Sequence, residues 1–131
     1  MITSKIIKIA SNTKNVGLTN KYNFKSSLKN SICGDKIKLE LIAKNFKINS
    51  MKYETESCVY CEASASLLAA KIKDLNINTI IKDLNSLKHI VKNGKFFFPA
   101  NFKDFKILIH KKNINRINCI YLPFDAVLKA L

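Results

Sequence analysis

Apolar and polar residues alternate through positions 35–44, "DKIKLELIAK", so that the apolar side chains share one face. This alternation is typical of a strand with one buried face. A tight polar turn at Lys44-Asn45 leads into 45–57, which we interpret as the hairpin partner of that strand. The stretch 22–31 alternates more weakly and is also predicted to be extended. The pattern therefore predicts a small three-stranded antiparallel sheet.

The pattern changes to that of helices after the third strand. Residues 61–75 are rich in Ala and Leu and contain neither Gly nor Pro, which favours a helix. Residues 77–92 place apolar side chains at the spacing of one helix face. A final helix is predicted within 115–131, with Pro123 in its first turn, where a missing backbone N–H is tolerated.

Shorter segments complete the prediction. Apolar residues in 2–10 are spaced as on one face of a helix, and the polar stretch 12–23 is predicted to be a loop. A break at 94–99 precedes a short helix that ends near position 105. The fold class that these elements predict is α+β, with helices packed on one side of the sheet.

The length of the chain, 131 residues, is that of one domain, and we expect residues 1–131 to form it. The N-terminal apolar residues are too few for the core of a signal peptide, and no stretch approaches the length of a membrane span. We therefore expect a cytoplasmic protein. Four cysteines in that compartment are better explained as metal ligands or reactive thiols than as disulfides.

The net charge of +14 would ordinarily suggest a nucleic-acid partner or an anionic surface. However, the lysines are scattered, aromatic residues are few, and the abundance of Lys, Asn and Ile indicates a compositional bias. We expect neither nucleic acid nor membrane as a partner. An acidic protein partner makes better use of the charge, because complementary potentials speed association.

Three cysteines lie where predicted elements begin or end. Cys33 ends a loop, Cys58 lies between a strand and a helix, and Cys119 lies near the start of the last helix. With Asp35, which opens a strand, they would supply four ligands for Zn²⁺ or an iron–sulfur cluster, the metals that thiolates select. The alternative is that each cysteine is a small buried apolar residue.

Cys58 and Cys61 also form a C-x-x-C pair. Such a pair suits a redox dithiol or half of a zinc site, but a second pair of cysteines or histidines is missing from this sequence. The pair alone therefore leaves three roles open for Cys61: an extra ligand, a thiol that relays sulfur, or a packing residue on the helix. We favour packing or an auxiliary role.

Three motifs together resemble the U-type iron–sulfur scaffold family, which comprises IscU, SufU and the N-terminal part of NifU. They are Cys33-Gly34-Asp35 entering a strand, Cys58 followed by Ala63-Ser64-Ala65-Ser66, and Cys119 followed by Leu122-Pro123-Phe124. The segment "NTKNVG" at 12–17 is similar to the family's Asn-Pro-x-Asn-x-Gly, with Thr13 in place of proline. Phe124 replaces the family's usual Trp, and Cys61 stands where Ser or Ala is usual.

Within the family, the chain resembles the SufU branch more closely. The interval between Cys58 and Cys119 is long, as in that branch, and Arg116 stands three residues before Cys119. Asn118 occupies the position where IscU proteins have His. Arg116 is the only Arg in a chain that otherwise uses Lys, and its guanidinium offers a rigid fork to a carboxylate or a sulfur-bearing anion.

The resemblance implies a SufE/NifU-like fold and a function. A PLP-dependent, SufS-like cysteine desulfurase would deliver persulfide sulfur to a thiol of this chain. A [2Fe–2S] cluster would then form on Cys33, Asp35, Cys58 and Cys119 and pass to acceptor apoproteins or a SUF-type assembly complex. We expect Cys119, assisted by Arg116, to accept the sulfur, with Cys33 as the second candidate.

The residues leave two other hypotheses for the function open. In the first, Zn²⁺ occupies the same four ligands and the chain is a zinc-dependent sulfur acceptor, or sulfurtransferase, on which no cluster need form. In the second, the chain is a small basic binding module with a structural metal, which would bind DNA or RNA with a steep salt dependence.

Overall fold

A computed structural model describes residues 2–94 and 96–131 of the chain. Its helices are α1 (Ser4–Ala10), α2 (Val59–Lys71), α3 (Ile77–Asn93) and α4 (Ile117–Ala130). Its strands are β1 (Phe24–Lys29), β2 (Lys36–Lys44) and β3 (Lys47–Glu56). Two 3₁₀ helices, Ala100–Ile107 and Lys111–Arg116, connect α3 to α4. The predicted α+β class is confirmed.

The three strands form one antiparallel sheet in the order β1-β2-β3. Side chains on one face of β2 are buried and form the core with residues of α2 and α4, which pack against the sheet. These buried β2 residues are the apolar ones that the alternation predicts, Ile37, Leu39 and Leu41. The sheet is therefore the predicted one, in the predicted antiparallel pairing.

The N-terminal loop shields both the edge and the outer face of the sheet. Gly17 donates its N–H to the Tyr53 carbonyl at 2.8 Å, on the edge of β3 that faces away from β2. Glu40 lies on the face away from Ile37 and is nevertheless buried. Its carboxylate accepts hydrogen bonds from the backbone N–H groups of Thr19, at 2.7 Å, and Asn20, at 2.9 Å, which satisfies the buried charge.

Helix ends follow the local sequence. The Thr3 hydroxyl accepts a hydrogen bond from Ile6 N at the start of α1, and the Asn76 side chain caps α3 in the same way. Gly94 ends α3 with a φ of 65°, a left-handed conformation that glycine adopts without steric cost. Lys95, within the predicted break, lies outside the described residues.

Two predictions for helices are wrong in detail. Helix α2 ends at Lys71 rather than at position 75, because Asp74 and Leu75 turn to bond with the backbone of Ile48 instead. Pro123 lies inside α4, the seventh residue of a helix that begins at Ile117, and not in its first turn. Within residues 2–94 and 96–131, no helix is long and apolar enough to cross a membrane.

Candidate metal centre

Cys33 and Asp35 lie in the loop that joins β1 to β2. Two backbone hydrogen bonds close this loop, from Gly34 N to Asn30 O at 2.7 Å and from Asn30 N to Asp35 O at 2.8 Å. Gly34 has a φ of 78°, a region that a side chain would disfavour. The loop leaves the Cys33 thiol exposed and turns the Asp35 side chain inward, where the residue is 6% exposed.

Cys58 connects β3 to α2 and lies opposite Asp35. As the N-cap residue of α2 it has an extended backbone, and its N–H donates to Oδ1 of Asp35 at 3.2 Å. The carboxylate thus lies at the positive end of the helix dipole, which favours a negative charge. The other oxygen, Oδ2, is buried and has no hydrogen-bond partner among the described residues.

Cys119 approaches the same point from the last helix. It is the third residue of α4, it is 3% exposed, and its thiol contacts that of Cys33 with an Sγ–Sγ distance of 3.5 Å. Residues 86 positions apart in sequence are therefore brought into contact by the packing of α4 against the sheet. Long-range pairing of this kind leaves no local signal in the sequence.

Three of the four predicted ligands form a compact set. The ligand atoms of Cys33, Asp35 and Cys119 all lie within 4.8 Å of one another, and no other such group occurs in the described part of the chain. Cys58 falls outside this limit, but its thiol lies near enough to raise the pKa of the Cys119 thiol. Two sulfurs bound to one tetrahedral zinc would lie about 3.8 Å apart, close to the observed Cys33–Cys119 separation.

The residues present fit a thiophilic cation. A buried carboxylate oxygen without a partner is costly, and a metal ion at this position would remove that cost. Thiolates bind Zn²⁺ and iron–sulfur clusters in preference to hard cations. The donor set, two close thiols with a carboxylate and a third thiol nearby, therefore suits either metal centre that the sequence predicts.

The surroundings of Cys119 hold its thiol in the protonated form. Burial is the main cause that raises its pKa, and the neighbouring Cys33 and Cys58 thiols and the Asp35 carboxylate raise it further. A cation bound by the thiolate would displace that proton, so metal affinity at this site should rise with pH.

The compact set does not include Arg116 or Cys61. Arg116 is exposed at the end of the second 3₁₀ helix, and none of the three ion pairs found among the described residues involves it. Cys61 is fully buried in the core. Burial raises the pKa of its thiol to about 12.

Two buried polar residues connect the elements around the site, and neither is predicted from the sequence to be functional. Ser64 donates its hydroxyl to the carbonyl of Ile120, the neighbour of Cys119, at 2.6 Å. Asn113 donates to the carbonyl of Leu108 at 3.0 Å and accepts from the Tyr60 hydroxyl at 3.4 Å. A Ser in the Ala-Ser run is a sequence signal for the first contact, whereas nothing local distinguishes Asn113 from the other asparagines.

Comparison with known families now identifies the chain. A family model for the NifU-like N terminal domain matches residues 1–101. The match covers more than half of the chain, and the chain therefore belongs to the NifU-like N-terminal domain family, as the three motifs indicate.

Relatives agree with this assignment. The chain is 28% identical over 104 residues, 79% of its own length and 72% of the relative's, to the iron–sulfur cluster assembly scaffold protein IscU of Thermotoga maritima. The N-terminal part of a NifU-like protein from Brucella abortus has the same fold, with a TM-score of 0.85, 17% identity and coverage of 98% of this chain and 90% of that one.

A third relative comes from the SufU group. The crystal structure of a putative SUF-system scaffold protein from Fervidobacterium islandicum matches with a TM-score of 0.84 and 21% identity, covering 98% of this chain and 95% of that one. At these identities the structural matches establish the fold, which is the predicted SufE/NifU-like one.

Proposed function

We propose that this chain is an iron–sulfur cluster assembly scaffold. It accepts sulfur from a SufS-like cysteine desulfurase, assembles a transient [2Fe–2S] cluster and passes it to apoproteins. The observation that carries the proposal is the close set of Cys33, Asp35 and Cys119 ligand atoms, together with the unpartnered buried oxygen of the Asp35 carboxylate. Residues 1–131 act as one domain, in the cytoplasm, where thiols stay reduced.

Sulfur enters by thiol exchange. The thiolate of the acceptor cysteine attacks the outer sulfur of the desulfurase persulfide, a new S–S bond forms, and the desulfurase thiolate leaves. The step is redox neutral. Cys119 is our candidate acceptor, with Arg116 binding the incoming anionic sulfur, because the two residues lie one helical turn apart at the start of α4.

Cys33 is the second candidate for the acceptor. Its thiol is exposed and lies against that of Cys119, whereas Cys119 is buried and its pKa is raised. Access favours Cys33, and the position of Arg116 as the N-cap residue of α4, three residues before Cys119, favours Cys119. The two candidates are distinguished by which cysteine carries the added sulfur after transfer, and this can be measured directly.

Cluster formation uses the same residues as ligands. Iron joins the sulfur at Cys33, Asp35, Cys58 and Cys119, after a separate electron donor supplies two electrons to reduce each sulfane sulfur to sulfide. The carboxylate of Asp35 is a harder and weaker ligand for such a cluster than a fourth thiolate. It therefore keeps the cluster exchangeable, as a scaffold requires.

A second function has support from the 3.5 Å contact between Cys33 and Cys119, which suits a single zinc ion as well as one iron of a cluster. In this alternative the chain is a zinc-dependent sulfur acceptor and delivers a persulfide rather than a cluster. Zinc would supply Lewis acidity that keeps the bound thiols ionised at neutral pH.

Peptide mass mapping after one turnover of a cysteine desulfurase tests sulfur acceptance. We expect one added sulfur atom on Cys119, lost in Cys119→Ser and kept in Cys33→Ser and in the control Cys61→Ser. Arg116→Ala should slow the transfer more than Arg116→Lys. Sulfur found on Cys33 and lost only in Cys33→Ser would replace Cys119 as acceptor, and sulfur on neither residue would reject the proposal.

A further inference from the structure

The turn between β2 and β3 carries an aromatic residue in a strained backbone conformation. Asn45 and Phe46 both have positive φ, 55° and 61°, the geometry of the tight hairpin turn in which Asn-Gly is favoured. Of the four non-glycine residues with positive φ in the described ranges, three are Asn or Asp, which tolerate this region. Phe46 is the exception.

Packing does not compensate for this strain. Phe46 is 76% exposed, so its ring gains little from the fold. Its carbonyl accepts a hydrogen bond from Ile77 N at 2.8 Å, but any residue at this position would supply that carbonyl. An exposed aromatic residue kept in an unfavourable backbone conformation suggests that its ring contacts another molecule.

The neighbourhood of Phe46 is basic. Lys44 and Lys47 flank the turn as a cross-strand pair, and Lys73 precedes Asp74, whose N–H bonds to the Ile48 carbonyl at 2.7 Å. On the other side, Asn23 accepts a hydrogen bond from Ala43 N, which brings Lys21 and Tyr22 to the same end of the sheet. We call this set the tip surface: Lys21, Tyr22, Lys44, Phe46, Lys47 and Lys73, all of them exposed.

The tip surface lies far from the thiols. Asp35 and Cys58 flank one end of the β2–β3 hairpin, and the Asn45-Phe46 turn forms the other end. About ten residues of extended strand separate the two, which corresponds to roughly 30 Å. A partner bound at the tip would therefore leave the thiols accessible.

We propose that the tip surface is a docking site for an acidic polypeptide segment of another protein. Its carboxylates would pair with the lysines around the turn, and an apolar side chain would pack on the Phe46 ring. A nucleic acid fits less well, because single strands need several open aromatic faces for stacking. The Tyr22 ring already faces the Lys25 ammonium, 5.0 Å from its centroid, which leaves Phe46 as the open ring.

A synthetic peptide of repeated Glu-Glu-Leu serves as the probe for a binding test, with single-stranded oligouridylate as the nucleic-acid comparison. Amide chemical shifts should change around Lys21, Lys44 and Lys73 and not at Cys33 or Cys119. Phe46→Ala should weaken peptide binding at least about fivefold. The matched control is Phe97→Ala, which removes another exposed ring, 81% exposed, and should leave binding unchanged.

A second variant separates binding from folding. Phe46→Gly creates the favoured Asn-Gly turn and should raise the midpoint of urea unfolding while weakening peptide binding as much as Phe46→Ala. Equal affinities for Phe46→Ala and Phe97→Ala, shifts confined to other surfaces, absence of peptide binding, or tighter binding of oligouridylate at the tip would each overturn the proposal.

Discussion

Asp35 combines two features that are seldom found in one carboxylate. One oxygen accepts the Cys58 N–H at the start of α2, and the other is buried without a partner. The first contact fixes the orientation of the side chain, and one oxygen of the carboxylate lies within 4.8 Å of the Cys33 and Cys119 sulfurs. The carboxylate is thus held ready for a cation before any cation binds.

Replacing Asp35 by Ala should trap the assembled cluster. The exchangeable oxygen ligand is lost and the three thiols remain, so transfer to an apo-ferredoxin should slow by at least about tenfold. The rate of transfer, followed by the visible absorbance of the acceptor, measures this. The control is Asp104→Ala, which removes an exposed carboxylate paired with Lys71, at the opposite end of α2 from Cys58. An Asp35→Ala rate equal to the control rate would refute the role of Asp35.

Cys61 makes the stability of the fold decrease at alkaline pH. Because burial raises the pKa of this thiol from 9.0 to about 12, the folded chain keeps it protonated where the unfolded chain ionises it. This contribution is complete below about pH 9 and falls by about 1.4 kcal/mol per pH unit as the pH rises toward 12. Urea unfolding of the wild-type chain and of Cys61→Ala at several pH values measures it.

The wild-type free energy of unfolding should decrease with pH more steeply than that of Cys61→Ala, since the lysines titrate alike in both. Parallel pH profiles would show that the fold does not bury the Cys61 thiol as described.

Cys61→Ser provides a separate functional check: unchanged metal content and sulfur acceptance are expected if Cys61 acts in packing.

At the scale of elements, the contact between α2 and α4 sets the position of Cys119 relative to Cys58. Ser64 of α2 bonds to the carbonyl of Ile120 at 2.6 Å, in a fully buried position. Pro123 cannot donate a hydrogen bond to the carbonyl of Cys119, four residues earlier. The first turns of α4 therefore depend on contacts with other elements for part of their support.

Ser64→Ala should destabilise the fold by about 1 kcal/mol and also weaken zinc binding, because α4 loses its bond to α2 next to Cys119. Ser66→Ala is the matched control: its hydroxyl makes a longer bond, 3.4 Å to Asn12 O, on the same helix. Chemical denaturation and competition for zinc with a chromophoric chelator measure the two effects. Equal zinc affinity in both variants would show that the Ser64 contact does not position Cys119.

The strands and most helices could be predicted because their information is local. Alternation identifies β2, and the spacing of apolar residues identifies α3. The end of α2 could not be predicted, because residues 72–75 have a composition that favours a helix. In the structure, Asp74 and Leu75 form backbone hydrogen bonds with Ile48 of β3 instead of continuing the helix. The sequence predicts Pro123 in a first turn because the start of α4 at Ile117 has no side-chain cap to mark it.

The site was predictable in a different way. The order of the motifs predicts which residues are candidate ligands, whereas their distances come from packing that links positions far apart in sequence. The exposure of Cys33, the burial of Cys119 and the unpartnered oxygen of Asp35 are consequences of that packing. Sequence alone could not rank the two acceptor candidates by access.

For the whole molecule, the two ends of the sheet differ in chemistry. One end carries the thiols and Asp35, and the other carries the basic turn with Phe46. The net charge of +14 favours encounter with acidic partners at either end. A scaffold that must contact both a sulfur donor and an acceptor benefits from surfaces that do not overlap.

The central claim is tested most directly by anaerobic reconstitution. The purified chain is mixed with a cysteine desulfurase, cysteine, ferrous iron and a reductant, and its iron and acid-labile sulfide are measured before and after addition of an apo-ferredoxin. We predict equal amounts of iron and sulfide on the chain, a visible chromophore, and transfer of both to the acceptor. A chain that forms no sulfide-containing chromophore, and whose bound zinc is retained while it speeds the desulfurase, would contradict the scaffold function and favour the zinc-dependent sulfur acceptor.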